Sequence, residues 1–454
     1  MKKNSYFSLV AILFFGLITQ AQSKKWTLEE CVKYALENNI SIKQSELDTQ
    51  TATIDKKSAF GNLLPSINAS TSHSWNIGLN QDITTGLLRN QTTQFTSTGM
   101  NVGIDIYKGL QNQNNLRRAN LALVASKYQL LKMQEDIALN VANAFLQVLF
   151  NKENLKVQLE QLAINEKQLA RSSELVSVGV VPRGDLLDIK ASVAQTRQNV
   201  VAAENTLLIS KLSLSQLLQL KDFENFDVVD VMDINNNATI LAQSPSAIID
   251  KAKESRTELK IAQTNLEIAQ KNLAIAKGAF QPSLQGFYGF NSRISYADVA
   301  VISGGVISTK PANPFWTQFS DNKGQSFGAQ LSIPIFNGLA TKNNVERSKV
   351  NLQKATIALE QQNLNLERTI YTAFTDAKGA LKANESAISS FEARQEAYNY
   401  AKEKFAVGLM NSFDYNQAQT LLVNAQSEVL RTKYDSIFKI KILEFYFGIP
   451  IIKN

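Results

Sequence analysis

From Leu110 to Val178 the chain contains neither glycine nor proline. Those 69 residues predict one continuous helix of roughly 100 Å, at about 1.5 Å per residue. Along it Leu116, Leu123, Leu130 and Ile137 recur every seven residues, and after a four-residue step Val141, Val148, Leu155, Leu162, Leu169 and Val176 recur again. This is a coiled-coil seam with one stutter, where the supercoil should locally relax. Alone, such a seam reads as a soluble coiled coil, which in an exported chain would be a structural coiled-coil protein without a pore.

The N-terminus carries Lys2 and Lys3, an apolar run from Tyr6 to Ile18, and Thr19-Gln20-Ala21 with small residues where a signal peptidase reads. Residues 1–21 therefore read as a signal peptide, an uncleaved anchor being the alternative. No later stretch approaches eighteen consecutive apolar residues, so no transmembrane helix is expected. Cys31 is the one cysteine and His73 the one histidine, which excludes an internal disulfide, a multi-histidine metal site and a Ser-His-Asp triad. No glycine-rich loop followed by lysine suggests nucleotide binding. No cofactor is implied. The formal charge of +7 is spread along the helices and gives no argument for nucleic acid.

The remaining sequence is a duplication. Residues 22–220 form a first repeat: a helix opened by the capping box Thr27-Leu28-Glu29-Glu30, alternating strands at 66–79 and 95–107 separated by a polar loop, the long helix 110–178, and a return helix 185–220. A mixed connector, 221–245, carries acids at 222, 224, 227, 230 and 233. The second repeat, 246–449, has a helix to Gly278, strands at 283–296 and 326–337, a long helix 339–407 and a return helix 414–447, before a tail at 450–454. Ala35, Glu37, Ile42, Lys43 and Pro65 match Ala252, Glu254, Leu259, Lys260 and Pro282 at an offset of 217. Gly109, Asn114, Asn115, Arg118, Val178, Gly179 and Asp185 match Gly338, Asn343, Asn344, Arg347, Val407, Gly408 and Asp414 at 229. The extra twelve residues of the second repeat fit a loop around 303–324.

Each strand is near the length that crosses a bilayer when tilted, with one apolar and one polar face. Four strands cannot close a barrel, and an open edge in lipid leaves backbone groups unpaired. Three copies would supply an even count of twelve strands. The short helices 185–220 and 246–278 together match the length of the long one. The fold class that follows is mixed: a transmembrane β-barrel plus a long α-helical barrel. Each protomer contributes four strands and about six helices in two tandem repeats, and the whole is completed as a homotrimer.

The chain resembles the outer-membrane efflux protein family, the TolC-like outer membrane factors. The resemblance lies in Leu28-Glu29-Glu30 with Ala35-Leu36-Glu37-Asn38-Asn39, in Leu63-Leu64-Pro65-Ser66, and in two tip motifs, Val178-Gly179-Val180 through Asp185 and Val407-Gly408-Leu409 through Asp414. It implies a non-enzymatic homotrimeric duct in the outer membrane of a Gram-negative bacterium, extending into the periplasm. Such a duct docks on a periplasmic adaptor protein coupled to an inner-membrane pump of RND, ABC or MFS type, for efflux or type I secretion.

Carried over by position, Val178, Gly179, Val180, Val407, Gly408 and Leu409 become adaptor-docking candidates, and Asp185 and Asp414 become periplasmic-entrance candidates. Both glycines also serve as left-handed helix caps and both aspartates suit a helix N-terminus. Phe405 stands where the family's gate has a tyrosine and Met410 where it has an arginine, so that latch is not expected; Arg183 is placed to reach an aspartate across a tip. Trp75, on the apolar strand face beside His73, suits the aromatic girdle where outer-membrane lipid meets water. Phe145, Phe150, Tyr371 and Phe374 read as inter-helix packing.

Overall fold

The computed structural model describes residues 25–81, 88–221, 223, 225–229, 238–303 and 306–450. The expected signal peptide, residues 451–454 of the tail and the connector acids Asp222, Glu224, Asp230 and Asp233 lie outside them. Two compact units are present, one of Asp48–Lys127 and Ile261–Leu359, the other of Met1–Leu47, Tyr128–Lys260 and Glu360–Asn454.

In chain order the elements are β1 (Lys25–Trp26), α1 (Leu28–Asn38), α2 (Ile40–Gly61), β2 (Ser66–Gln81), β3 (Leu88–Lys108), α3 (Gln111–Ser177) and α4 (Arg183–Leu218). There follow β4 (Asp227–Val228), a single 3-10 turn (Ala238–Ala242), α5 (Pro245–Ser255), α6 (Thr257–Gly278), β5 (Ser283–Ser295), β6 (Val299–Ser303) and β7 (Val306–Lys310). The last four are α7 (Phe315–Asp321), β8 (Gly324–Ser332), α8 (Ala340–Ala406) and α9 (Ser412–Tyr446). The two long helices, α3 and α8, have 67 residues each.

The first unit holds a four-stranded antiparallel sheet in the order β2-β3-β5-β8. Its hairpins repeat in register: Ser66 faces Gly103, and Ser283 faces Ser332, which are the same positions at offsets of 217 and 229. The β3–β5 pairing, with Gly103 opposite Phe287 and an irregularity between Asp105 and Tyr107, joins the two repeats. β2 and β8 are the sheet's outer strands.

Three boundaries differ from the sequence reading. The loop expected from Asn80 to Gln94 is shorter, because Leu88–Gln94 pair with Leu79, Trp75 and their neighbours; their polar, partly β-branched side chains hide a strand from a search for alternating apolar residues. The last strand stops at Ser332 rather than 337, since Pro334 has no N–H for a ladder. The segment expected as a loop around 303–324 contains the β6–β7 hairpin, which begins at Val299, and α7.

In the second unit, α1 starts with the reciprocal capping box: Thr27 N–H donates to Glu30 Oε2 and Glu30 N–H to Thr27 Oγ1. The single helix expected to open at Thr27 and the one expected over 246–278 are both broken. Asn39 leaves the helical region at ψ 130° and Arg256 does so at ψ 129°, again 217 residues apart. Asn39 stabilises the break by accepting from Ser41 N–H and donating to Leu217 C=O. Two apolar cores sit here, one holding the stutter at Ile137 and Val141 and the other its counterparts 229 residues on, Leu366 and Ile370. Ile137 and Val141 join Phe145, Val148, Leu214 and Val228 in one; Leu366 and Ile370 join Ile248, Leu259 and Leu443 in the other. Phe374 packs against the second core, whereas Tyr371 is exposed. β1 pairs in parallel with β4, tying Lys25 to Asp227 within the connector.

Candidate functional site

The tip turns lie at the end of α3 and the start of α4, and at the end of α8 and the start of α9. Gly179 (φ 76°) and Gly408 (φ 77°) take the left-handed conformation. That turn lets Val180 N–H reach Leu175 C=O at 2.9 Å and Leu409 N–H reach Lys404 C=O at 2.8 Å, closing both helices with the same double cap. Val178, Val180, Val407 and Leu409 project as exposed apolar side chains.

The two return helices start differently. Asn411 caps α9, its Oδ1 accepting from Asp414 N–H and its Nδ2 donating to Asp414 Oδ2. Asp414 is thus held within its own turn. α4 begins after Pro182 with no side-chain cap. Asp185 and Asp188, on the first turns of α4, converge on Ser412 at the start of α9, whose Oγ lies 3.0 Å from Asp185 Oδ1 and 3.2 Å from Asp188 Oδ2. Ser412 is 1% exposed and its single hydroxyl proton is shared between two carboxylates. Arg183 is exposed and forms no ion pair among the described residues.

Above this turn, Tyr398 and Tyr415 share a hydrogen bond between hydroxyls at 3.0 Å. Phe405 stacks on Tyr415 with 4.6 Å between ring centres and 13° between planes, and Met410 packs against the same cluster. Burial, then the hydrogen bond with Tyr398, pushes the Tyr415 phenol well above its usual range. Phe405 and Met410 are thus apolar partners of a buried tyrosine pair. The sequence reading missed Tyr415, Ser412 and Asp188. Ser412 had a signal: it occupies the position that holds Arg183 in the first repeat, one of the points where the duplication departs from itself.

On the sheet, one face carries Ile67, Trp75, Ile77, Val102, Tyr288, Phe327 and Leu331, and the other Asn101, Gln285, Ser326 and Gln330. Phe327 and Ile77 are each 83% exposed, too apolar a face to meet water over this area. Trp75 meets His73 edge to face at 4.3 Å, and His73 in turn shares Thr96 Oγ1 with the Tyr296 hydroxyl. No cluster of His, Cys, Asp and Glu suited to a metal exists among the described residues.

Membrane-length strands with one exposed apolar face, set in a helical scaffold duplicated in register, describe a subunit of an outer-membrane channel. A family model described as outer membrane efflux protein matches residues 31–219 and 248–437, one match per repeat, and the chain belongs to that family. It is 21% identical over 426 residues to the outer membrane protein TolC of Escherichia coli, covering 93% of this chain and 81% of that protein. Its fold is similar to a crystal structure of the Campylobacter jejuni CmeC outer membrane channel, with TM-score 0.76, 20% identity, and 93% and 85% of the two chains covered. It is also similar to a membrane protein from Pseudomonas aeruginosa, with TM-score 0.78, 17% identity, and 92% and 90% covered. The chain is an outer-membrane channel protein for efflux or secretion, and not an enzyme.

Proposed function

We propose that this chain is the exit duct of a tripartite efflux or type I secretion system. It works as a homotrimer whose twelve strands close a barrel and whose tips dock on a periplasmic adaptor joined to an inner-membrane pump. The observation that carries the trimer is the sheet itself. It has an exposed apolar face, so it belongs in lipid, and it ends in the outer strands β2 and β8, edges whose backbone lipid cannot pair. A second copy satisfies them by pairing its β2 with β8, repeating between chains the junction that β3 and β5 make within one.

At the tips, Val178, Val180, Val407 and Leu409 offer exposed apolar knobs on two turns of the same geometry, which suits an adaptor that meets both repeats alike. Asp185 and Asp188, held by Ser412, with Asp414 following Ser412 in the chain, supply the negative charge of the periplasmic entrance. Reconstitution into a planar bilayer tests the duct: trimer-dependent, cation-preferring conductance is expected, and a purified protein that stays monomeric and passes no current overturns the reading.

A further inference from the structure

The second repeat differs from the first by an insertion that carries α7, and α7 is joined to the sheet in a specific way. β8 begins at Gly324, opposite Asn291, so from Ser292 onward β5 has no strand on that side among the described residues. The side chains of α7 and the residue after it take that place. Gln318 Oε1 accepts from Ser295 N–H at 3.0 Å while its Nε2 donates to Ser295 C=O at 2.9 Å. Asn322 Nδ2 donates to Arg293 C=O at 2.7 Å, and Ser292 Oγ donates to Phe319 C=O at 3.0 Å. The backbone of an edge that lipid would leave unsatisfied is therefore completed by a helix.

The helix lies on the apolar face. Phe319 meets Phe290 at 6.0 Å, and Phe290 shares its side of the pleat with Tyr288, whose partner across the sheet is Phe327. Ser292 and Ile294, on the same side, are buried. Phe315, Trp316 and Phe319 form one aromatic group within 5.2–6.4 Å of each other, yet Trp316 remains 74% exposed. Its height along the sheet is that of Trp75: Trp75 pairs with Gln94, Gln94 C=O accepts from Tyr296 N–H, and Ser295 is the residue Gln318 holds.

We propose that α7 is an interfacial anchor, its Phe315-Trp316-Phe319 group lying in the headgroup and upper acyl region of the membrane at the level of Trp75. The inference rests on reading the apolar face of this sheet as the lipid-facing wall. Continuity with that face selects a lipid surface as the occupant. An amphipathic aromatic group whose backbone is already satisfied fits the boundary where one side is wet and the other apolar.

The test uses two single-tryptophan forms of the full chain, Trp26→Phe with Trp75→Phe, which leaves Trp316, and Trp26→Phe with Trp316→Phe, which leaves Trp75. Each is reconstituted in phosphatidylcholine vesicles brominated near the headgroup end or near the tail end of the acyl chains. Both tryptophans should lose emission, with headgroup-end bromine quenching Trp316 about twofold more strongly than tail-end bromine, as for a group seated at the interface. Quenching of Trp75 but not of Trp316 overturns the anchor and leaves the lipid-facing wall standing; Trp316 is then covered by a second copy or by water. Quenching of neither overturns both. Should replacing Trp26 prevent folding, Trp316→Cys carrying a polarity-sensitive fluorophore gives the same reading with Trp26 and Trp75 retained.

Discussion

Gly109 and Gly278 approach each other so closely that a Cβ on Gly109 would lie 2.1 Å from the Gly278 carbonyl oxygen, and one on Gly278 would lie 2.3 Å from that of Gly109. Their repeat mates are Gly338 and Gly61, and a Cβ on either of these meets nothing within 4 Å. The contact that joins repeat one to repeat two inside the chain is therefore vacant at the two outer ends, where the neighbouring copies of a trimer would meet. Gly278→Ala should destabilise the isolated protomer by about 1–3 kcal/mol, the usual cost of overpacking. Gly61→Ala should leave the protomer's thermal unfolding unchanged and weaken the trimer, read by detergent-resistant migration on a gel. A Gly61→Ala trimer as robust as the wild type would remove this contact from the assembly.

In the proposed trimer the same symmetry would set the strand register between copies. Within the chain Thr98 faces Ser292 and Met100 faces Phe290; shifted by the repeat offsets, Phe327 of one protomer should face Trp75 of its partner, and Ala329 should face His73. In a Cys31→Ala background, Ala329→Cys combined with His73→Cys should give disulfide-linked oligomers in the outer membrane. Ala329→Cys combined with Asn76→Cys, on the opposite face, should give none. Equal cross-linking by both pairs would show that the edges do not meet in this register.

The duplication was legible in the sequence because glycine and asparagine positions at turns are fixed by backbone geometry, and those turns recur at φ near 60° in Gly109 and Gly338. The breaks at Asn39 and Arg256 were not legible: one extended residue between helices that keep burying apolar residues barely disturbs the hydrophobic pattern. α7 was hidden for another reason. Its seven residues are too few to show a helical period, and it is placed by Gln318 and Asn322 against a strand edge that only the fold reveals. The tip constellation of Ser412 with Asp185 and Asp188 spans more than 220 residues of sequence, beyond the reach of any local motif, although the glycine caps beside it were found.

Arg256 is buried at the broken junction between α5 and α6, bonded to Glu135 and Glu258 and lying 4.1 Å over the Phe445 ring. Burial raises the Glu135 carboxyl above its ordinary range despite the Arg256 charge. Arg256→Met should destabilise the protein by roughly 3 kcal/mol, the lower end for a broken buried pair, since Glu135 keeps some contact with water. A raised folded-state value means that ionised Glu135 opposes folding as pH rises through it. The deficit should therefore be smaller at pH 5 than at pH 8 in urea unfolding, and Glu135→Gln should restore part of it. A deficit independent of pH would assign the loss to packing on Phe445 and Tyr446 alone.

Asp227 shows the opposite sign. Burial pushes its carboxyl up, but hydrogen bonds from Lys152 and Lys211 and their charges outweigh burial and hold it below the ordinary 3.8. The stabilisation is present above that ordinary value and is lost as pH falls through the lowered one. Asp227→Asn should therefore weaken the β1–β4 pairing near neutral pH and make no difference once the wild-type carboxyl is protonated. Hydrogen exchange at Val229, whose N–H donates to Trp26 C=O across this pair, reports the effect; equal protection in both proteins at neutral pH would refute it.

Ser412 separates hydrogen bonding from charge at the proposed entrance. Its hydroxyl serves Asp185 and Asp188, and a hydrogen bond to a charged group contributes about 1.5–3 kcal/mol. Ser412→Ala keeps both carboxylates and removes their donor, so the start of α9 is no longer held against α4, and channels in a planar bilayer should open more often. Asp185→Asn with Asp188→Asn keeps an acceptor for Ser412 and removes the charge, so opening should change little while preference for cations falls. If Ser412→Ala channels open no more often than the wild type, the contact is merely structural packing at a helix start, and whatever closes the entrance lies between protomers rather than within one.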